Sequence, residues 1–302
     1  MRWRKQGRVY APSGEFAWAK NYAYLPTAET GIGSGLRVYF SCLDEDNYGR
    51  IGYVDLDPED PGRVLEVAPQ PVLDLGEPGT FDDAGVNPSC LVEGDTGTHL
   101  YYIGWQRSSR VPYLLFAGLA VRRGQSGFQK LGRTPVLERT TAEPFIRSAT
   151  TILREAGRWR AWYVSALRWT TIAGHLYPEY VIRYAESADG LSWRADGSVC
   201  IAFQDPDEFG FGRPWVLRDG GLYRMWYSIR SRTQPYRLGY AESTDGLSWE
   251  RKDREAGIDR SAVGWDSEMI CFPCVVDVRG RRYMFYNGNR HGATGFGYAV
   301  LD

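Results

Sequence analysis

Carboxylate side chains occur shortly before five apolar segments spaced along the chain, and this pattern could support acid–base chemistry. The acidic residues of these segments are Glu15, Asp82, Asp83, Glu143, Asp205, Asp207, Glu208, Asp266 and Glu268. Such chemistry needs one carboxylic acid that stays protonated and one ionised carboxylate that activates water or attacks the substrate. Each acid alone could equally be a charge in a solvated loop, so the hypothesis depends on the fold bringing several together.

Cationic side chains lie near the same segments, more of them than a neutral binding site requires. They are Lys20, Arg107, Arg147, Arg168, Arg213, Arg230, Arg232, Arg290 and His291. Arginine binds carboxylates and phosphates through paired hydrogen bonds, which favours an anionic ligand. Several could instead form structural ion pairs with the acids. Tryptophans could stack on a ligand ring or pack in the core, and the candidates are Trp105, Trp169, Trp215 and Trp265.

An internal repeat of about 60 residues predicts the elements that would position these side chains. Five aromatic segments align on Phe40, Tyr102, Tyr163, Tyr227 and Tyr286, which are 62, 61, 64 and 59 residues apart. Three copies have a preceding strand and a turn glycine, and a further strand, a turn and a last strand follow the aromatic segment. Each copy is therefore predicted to be a four-stranded antiparallel sheet, and five such sheets indicate a β-propeller.

The two ends of the chain support the same fold. The fifth copy ends at Asp302 after its third strand, and the segment Arg2-Trp-Arg-Lys5 resembles the outer strands of other copies. We predict that the N-terminal strand completes the last blade and closes the ring, which removes exposed sheet edges. The predicted fold class is an all-β, five-bladed β-propeller of four-stranded antiparallel blades, with residues 1–302 forming a single domain.

This topology predicts which face carries the chemistry. In an up-and-down blade, the segment entering the first strand and the loop between the second and third strands emerge at the same axial mouth. All five acidic segments and most of the arginines are expected there. The repeated turns Ser187-Ala-Asp-Gly-Leu-Ser-Trp193 and Ser243-Thr-Asp-Gly-Leu-Ser-Trp249 fall on the opposite face, and we interpret them as hairpin turns.

Blade number, strand order and the Ser-x-Asp-Gly-x-x-Trp turns together resemble the arabinanase, levansucrase and invertase superfamily, which includes glycoside hydrolase families 43, 32, 62 and 130. The resemblance implies a glycoside hydrolase with an acid and a base or nucleophile around the mouth. The chain departs from the family 43 pattern at Gly212-Arg213-Pro214, where arginine occupies the position expected for glutamate. It also lacks the Asn-Asp-Pro-Asn motif of invertases.

We therefore rank the candidates by their surroundings. Glu268 is the first choice for the acid, Asp83 or Asp82 for the base or nucleophile, and Glu15 and Glu208 follow. Asn87 and Asp266, with the cations and tryptophans above, are expected to bind the substrate. The preferred hypothesis is hydrolysis of a small anionic saccharide or glycoconjugate. Alternatives are a phosphorylase, a non-catalytic carbohydrate-binding propeller, and a biosynthetic sugar-modifying enzyme.

Composition narrows the class of protein further. A net charge of −1 offers no field that would attract nucleic acid or an anionic membrane. No apolar run has the length of a signal peptide or a membrane span, so we expect a cytoplasmic protein. Five scattered cysteines predict no disulfide framework, and we expect no cofactor and no metal. Calcium in the central channel is a possibility without support in the sequence, and the oligomeric state stays open.

Overall fold

The structure is a computed structural model that describes residues 1–124 and 127–302, and nearly all of its regular structure is β-strand. The strands in chain order are β1 Trp3–Tyr10, β2 Asn21–Thr30, β3 Leu36–Leu43, β4 Gly49–Leu56, β5 Val64–Val67, β6 Gly85–Gly94, β7 Gly97–Arg107, β8 Tyr113–Arg122, β9 Gln129–Lys130, β10 Arg147–Glu155, β11 Arg158–Ile172, β12 His175–Ser187, β13 Val199–Ile201, β14 Glu208–Asp219, β15 Leu222–Ser231, β16 Arg237–Ser243, β17 Glu250–Arg251, β18 Cys271–Val278, β19 Arg281–Asn287 and β20 Phe296–Leu301. A 3-10 turn spans Asp253–Glu255, and a short helix, α1, spans Asn289–Gly292. Within the described residues, no helix has the length and apolarity to span a membrane.

Strand pairing sorts these strands into five antiparallel units of four, which we call blades one to five. Blades one to four are β2–β5, β6–β9, β10–β13 and β14–β17, and blade five is β18, β19, β20 and β1. The first strands, β2, β6, β10, β14 and β18, are the inner strands. Each contacts the next, and β18 also lies against β2, which closes the ring. The predicted β-propeller fold is confirmed.

The N-terminal strand supplies the outer strand of blade five. β1 pairs antiparallel with β20, from Trp3 opposite Leu301 to Tyr10 opposite Phe296. The β20 edge is therefore covered by the chain's own N-terminal strand, which is the ring closure that the sequence predicts.

The Ser-x-Asp-Gly-x-x-Trp segments form tight turns, as predicted. The Asp189 carboxylate accepts hydrogen bonds from the backbone amides of Leu191 and Ser192, both at 2.8 Å. Gly190 has a φ of 75°, a left-handed conformation that glycine adopts without strain. The Tyr101 hydroxyl of blade two donates to the Gly190 carbonyl at 2.8 Å, so this turn also fastens blade three to its neighbour.

Aromatic residues of the second strands fill the space between blades, which explains the aromatic richness of the sequence. Trp162, Trp226, Tyr163, Tyr227 and Tyr286 are all completely buried. Large rings bury much apolar area with few rotatable bonds, so they suit the tapering space between twisted sheets.

All five inner strands are interrupted near the axial mouth, and the interruptions in blades three to five share one form. The pairing register shifts between Ser148 and Thr151, between Gly212 and Trp215, and between Cys271 and Cys274. In each of these three interruptions one non-glycine residue has a positive φ, and these residues are Ala149 (50°), Arg213 (37°) and Phe272 (56°). Such bulges redirect side chains and concentrate near functional sites, which draws attention to this end of the ring.

Candidate active site

Three of the predicted acids are buried and share one arrangement within their own blades. Each accepts a hydrogen bond from a second-strand tyrosine twenty positions further along the chain. Tyr102 donates to Asp82, Tyr163 to Glu143 and Tyr286 to Asp266, each at 2.9 Å. We call these three carboxylates the entry acids, since each lies on the segment that enters an inner strand.

A cation completes each arrangement. Lys130 in the outer strand of blade two lies 2.6 Å from Asp82, and Lys5 in the outer strand of blade five lies 2.6 Å from Asp266. Arg147 lies 3.4 Å from Glu143. Asp82 and Asp266 thus fasten their segments to the second and outer strands, and Glu143 fastens its segment to the first and second strands. All three carboxylates are occupied within the blade.

Glu208 has a similar environment in blade four. Arg251 in the outer strand donates two hydrogen bonds to its carboxylate, one of them 2.9 Å from Nη1 to Oε2. Burial alone would raise the pKa of Glu208, but the Arg251 hydrogen bonds outweigh it, so the pKa lies below its ordinary value. A carboxyl held ionised in this way is unsuited to donate a proton at neutral pH.

The convergence of the acids at the axial mouth stays a prediction, and three of these acids are engaged within their own blades. Asp82 and Asp266 precede their inner strands and Glu208 begins β14, and each is held by a cation of its own blade. Glu15 and Glu268 are exposed, and Asp83 is partly exposed. Among the described residues, no hydrogen bond joins the carboxylates of any two of these predicted acids.

An aromatic cluster lies at the axial mouth instead. Its members are Tyr113, Trp169, Tyr180, Tyr236, Phe272 and His291, and we call this set the mouth cluster. Tyr113 lies against Trp169 with ring centroids 5.9 Å apart, and Tyr236 lies 4.7 Å from the His291 ring. Blades two, three, four and five all contribute. Five of the six rings stay partly exposed, which leaves aromatic surface available to a ligand.

Arg230 is the cation of this cluster. Its guanidinium lies 4.5 Å from the Phe209 ring centroid, 5.2 Å from that of Tyr180 and 5.8 Å from that of Tyr236. Only 4% of the residue is exposed. Nη1 donates to the Pro178 carbonyl at 3.3 Å, and Nε is buried without a partner. Over residues 1–124 and 127–302, no carboxylate forms an ion pair with Arg230.

His291 lies near Arg230, within the short helix α1. Burial first, and the nearby Arg230 charge second, lower the pKa of His291 to about 4. The imidazole is therefore neutral at physiological pH, and it contributes a hydrogen-bonding ring rather than a second positive charge.

Arg213 fills the centre of the ring. Its guanidinium donates to the Pro26 carbonyl at 2.7 Å, to the Thr27 hydroxyl at 2.6 Å and to the Ser89 carbonyl at 3.3 Å, so one side chain of blade four connects to blades one and two. It also reaches Phe272 of blade five. Burial lowers the pKa of Arg213 to about 10. Arg213 Nε is buried without a partner and no carboxylate of the described residues pairs with this guanidinium, but four hydrogen bonds to neutral oxygens of the surrounding blades give Arg213 a structural position on the axis.

The other predicted binding residues either pack within the fold or lie partly exposed at the start of an inner strand. Trp265 stacks on Tyr286, and Trp215 donates to the Val275 carbonyl, so both pack within the fold. Trp105 packs against Gly85 at the head of an inner strand. Asn87 is partly exposed at the same head, and its Oδ1 is buried without a partner.

The predicted cations at the loops also have partners. Arg107 donates to backbone carbonyls of blade one, Lys20 donates to the Gly14 carbonyl, and Arg168 pairs with Glu179 at 2.8 Å. Arg290 is exposed beside the mouth cluster. No group of three or more potential metal ligands occurs in the described parts of the chain.

Sequence reasoning missed most aromatic members of the cluster. Tyr113, Tyr180, Tyr236 and Phe272 lie within two positions of a strand end or inside a strand, where the repeat alone predicts core packing. Tyr113, Tyr236 and Phe272 stand at or beside the first residue of their strands, and that position at the mouth end of a blade was a usable signal.

Comparison with known proteins shows which of them resemble this chain in sequence and in fold. No protein-family model matches the chain. The uncharacterized protein Rv1502 of Mycobacterium tuberculosis (strain ATCC 25618 / H37Rv) is 39% identical over 302 residues, with 100% of both chains covered. The chain belongs to the same family as Rv1502.

Solved structures with the same fold are more distant in sequence. A glycosyl hydrolase from Bacteroides ovatus has a TM-score of 0.74 at 16% identity over 99% of this chain and 92% of that chain. BT0996, in a complex with RGII, has a TM-score of 0.74 at 18% identity over 99% and 90%. A thermostable family-43 glycoside hydrolase has a TM-score of 0.69 at 16% identity over 97% and 91%. The fold is thus that of the glycosidase propellers, in a strongly diverged sequence.

Proposed function

We propose that this protein is a glycoside hydrolase that binds a small anionic saccharide at the axial mouth. The observation that carries the proposal is Arg230, a buried arginine for which the described residues provide no carboxylate partner, surrounded by rings of the mouth cluster. Aromatic faces stack on sugar rings, and a guanidinium binds an acidic substituent. The glycosidase propeller fold supports the same class of activity, although fold alone does not establish it.

Three of the ranked carboxylates, Glu15, Asp83 and Glu268, stay accessible once the buried acids are assigned to structure. Glu268 is exposed, and its backbone amide donates to Asn289 Oδ1 at 2.8 Å, which ties its segment to the helix carrying His291. Asp83 precedes Asn87 on the segment entering blade two. We propose Glu268 as the acid and Asp83 as the base or nucleophile, with Asn87 orienting the substrate.

The test is the release of reducing sugar from acidic and neutral oligosaccharides. We expect Glu268→Gln and Asp83→Asn each to lower the rate by about 10²-fold or more, with an unchanged unfolding midpoint. Glu250→Gln is the matched control, because Glu250 is an exposed acid of an outer strand. Full activity in both mouth variants would refute the assigned roles.

A second candidate, a carbohydrate-binding propeller without turnover, is favoured by one specific observation. The position where the family resemblance expects glutamate holds Arg213, which is bound to main-chain and hydroxyl oxygens on the axis. Under this candidate an acidic saccharide binds with measurable affinity, no product forms, and neither carboxylate substitution changes a rate.

A further inference from the structure

Arg230 has hydrogen-bonding capacity and charge that the described residues do not use. Its Nε is buried without a partner, and its one hydrogen bond within this part of the chain goes to a neutral carbonyl. A buried cation is costly unless an anion or several hydrogen bonds compensate it. Tyr180, whose ring lies 5.2 Å from the guanidinium, is also buried, and its hydroxyl lies near Tyr113 without a well-aligned partner among the described residues. The Arg230 guanidinium and the Tyr180 side chain therefore lie close together, and both retain hydrogen-bond donors that a ligand can accept.

The neighbouring cations are paired or reach solvent. Arg168 lies 2.8 Å and Arg232 3.4 Å from Glu179, and both of these guanidinium-bearing side chains are exposed enough for water to screen the charge that one carboxylate leaves uncompensated. His291 is neutral at physiological pH, since its pKa is about 4. Arg290 is exposed to solvent, where its field is screened. Among the described residues, Arg230 is therefore the buried cation of the mouth with neither a carboxylate partner nor more than one hydrogen bond, whereas Arg213 on the axis makes four.

Charge balance then decides which anion fits. A carboxylate carries one negative charge in a planar group that matches a guanidinium through two parallel hydrogen bonds. A phosphate monoester carries about 1.5 to 2 negative charges at neutral pH, so one arginine would leave part of that charge buried among aromatic rings. Phosphate is the poorer match on both charge and shape.

We propose that Arg230, with the Tyr180 hydroxyl, recognises the carboxylate of a sugar acid, so that the ligand is a uronic or nonulosonic acid rather than a sugar phosphate or nucleotide sugar. This assignment rests on the proposed function only in placing a saccharide at the axial mouth. It makes inorganic phosphate a poor co-substrate at this position.

Calorimetric titration of the full chain tests the assignment. The probes are galacturonate, glucuronate and N-acetylneuraminate, their neutral counterparts galactose and glucose, glucose 1-phosphate and inorganic phosphate. We expect at least one sugar acid to bind about tenfold or more tightly than the neutral sugars and the phosphates. Arg230→Gln should abolish this preference, so that the sugar acids bind no more tightly than their neutral counterparts. Arg230→Lys should keep part of it, because the charge stays while the bidentate geometry is lost.

Arg158→Gln is the matched control, since Arg158 is an exposed arginine in the hairpin on the opposite face. Three results would overturn the assignment: no sugar acid binds, phosphates bind more tightly than sugar acids, or Arg230→Gln keeps the preference. Binding that depends on Arg230 without any turnover would support the assignment and refute the hydrolase. Cleavage of neutral glycosides that is unaffected by Arg230→Gln would support the hydrolase and refute the assignment of Arg230.

Discussion

The entry acids and Arg230 are both buried charges, but they differ in compensation. Asp82 has Lys130 at 2.6 Å and the Tyr102 hydroxyl at 2.9 Å. Arg230 has aromatic rings and one carbonyl among the described residues. A buried charge with a full set of partners stabilises a particular arrangement of strands. A buried charge without them retains capacity for a ligand, and this difference separates scaffold from site in the propeller.

The largest expected change in stability tests the entry acids, which we assign to the scaffold. Asp82→Ala should lower the free energy of unfolding by about 3–5 kcal/mol, because Lys130 and the Tyr102 hydroxyl lose their buried partner. Asp95→Ala is the control, since Asp95 is 79% exposed and its pair with Arg154 contributes about 1 kcal/mol or less. Denaturant unfolding measures both. Equal losses in the two variants would contradict a structural role for the entry acids.

A smaller effect tests the electrostatics of the mouth cluster. The pKa of His291 falls from 6.5 to about 4 on folding, so the unfolded chain binds the extra proton in this range. Stability should therefore fall as pH decreases from about 6.5 to 4, by at most about 3 kcal/mol from this residue. His291→Gln should flatten the curve of unfolding free energy against pH, although burial also lowers the pKa of His99 and leaves some slope. An unchanged slope would show that His291 is not buried neutral.

The smallest expected change in stability tests Arg230, the buried charge without an ion pair among the described residues. Arg230→Met should change the free energy of unfolding by about 1 kcal/mol or less, because no described ion pair is lost and the apolar stem is retained. The same change should remove sugar-acid binding. Denaturant unfolding without ligand measures the first outcome. A loss near that of Asp82→Ala would mean that Arg230 is a scaffold residue.

The fold was predictable because its repeat is carried by residues that packing and turns require. Tyr163 and Tyr227 are buried in equivalent second strands, and Asp189-Gly190 forms the expected turn. The N-terminal strand was predictable too, since Trp3 shares the pattern of the outer strands. Periodicity reports which residues occupy equivalent places, and in a repeat protein that largely determines the architecture.

The site was harder to predict because periodicity does not report where side chains point. Asp82 and Asp83 are adjacent in sequence, yet one is buried against Lys130 and the other is partly exposed. Arg213 and Arg230 are both buried arginines of blade four, and only the three-dimensional contacts assign one to the axis and the other to the mouth. The number of arginines can be read from the sequence, but their partners depend on bulges and hairpin lengths.

A crystal structure of the protein with galacturonate or N-acetylneuraminate bound tests the central claim most directly. The account predicts the sugar at the mouth cluster, with its carboxylate oxygens about 2.7–3.1 Å from the Arg230 guanidinium nitrogens. A sugar acid bound elsewhere, or one at the mouth with its carboxylate directed away from Arg230, would contradict it.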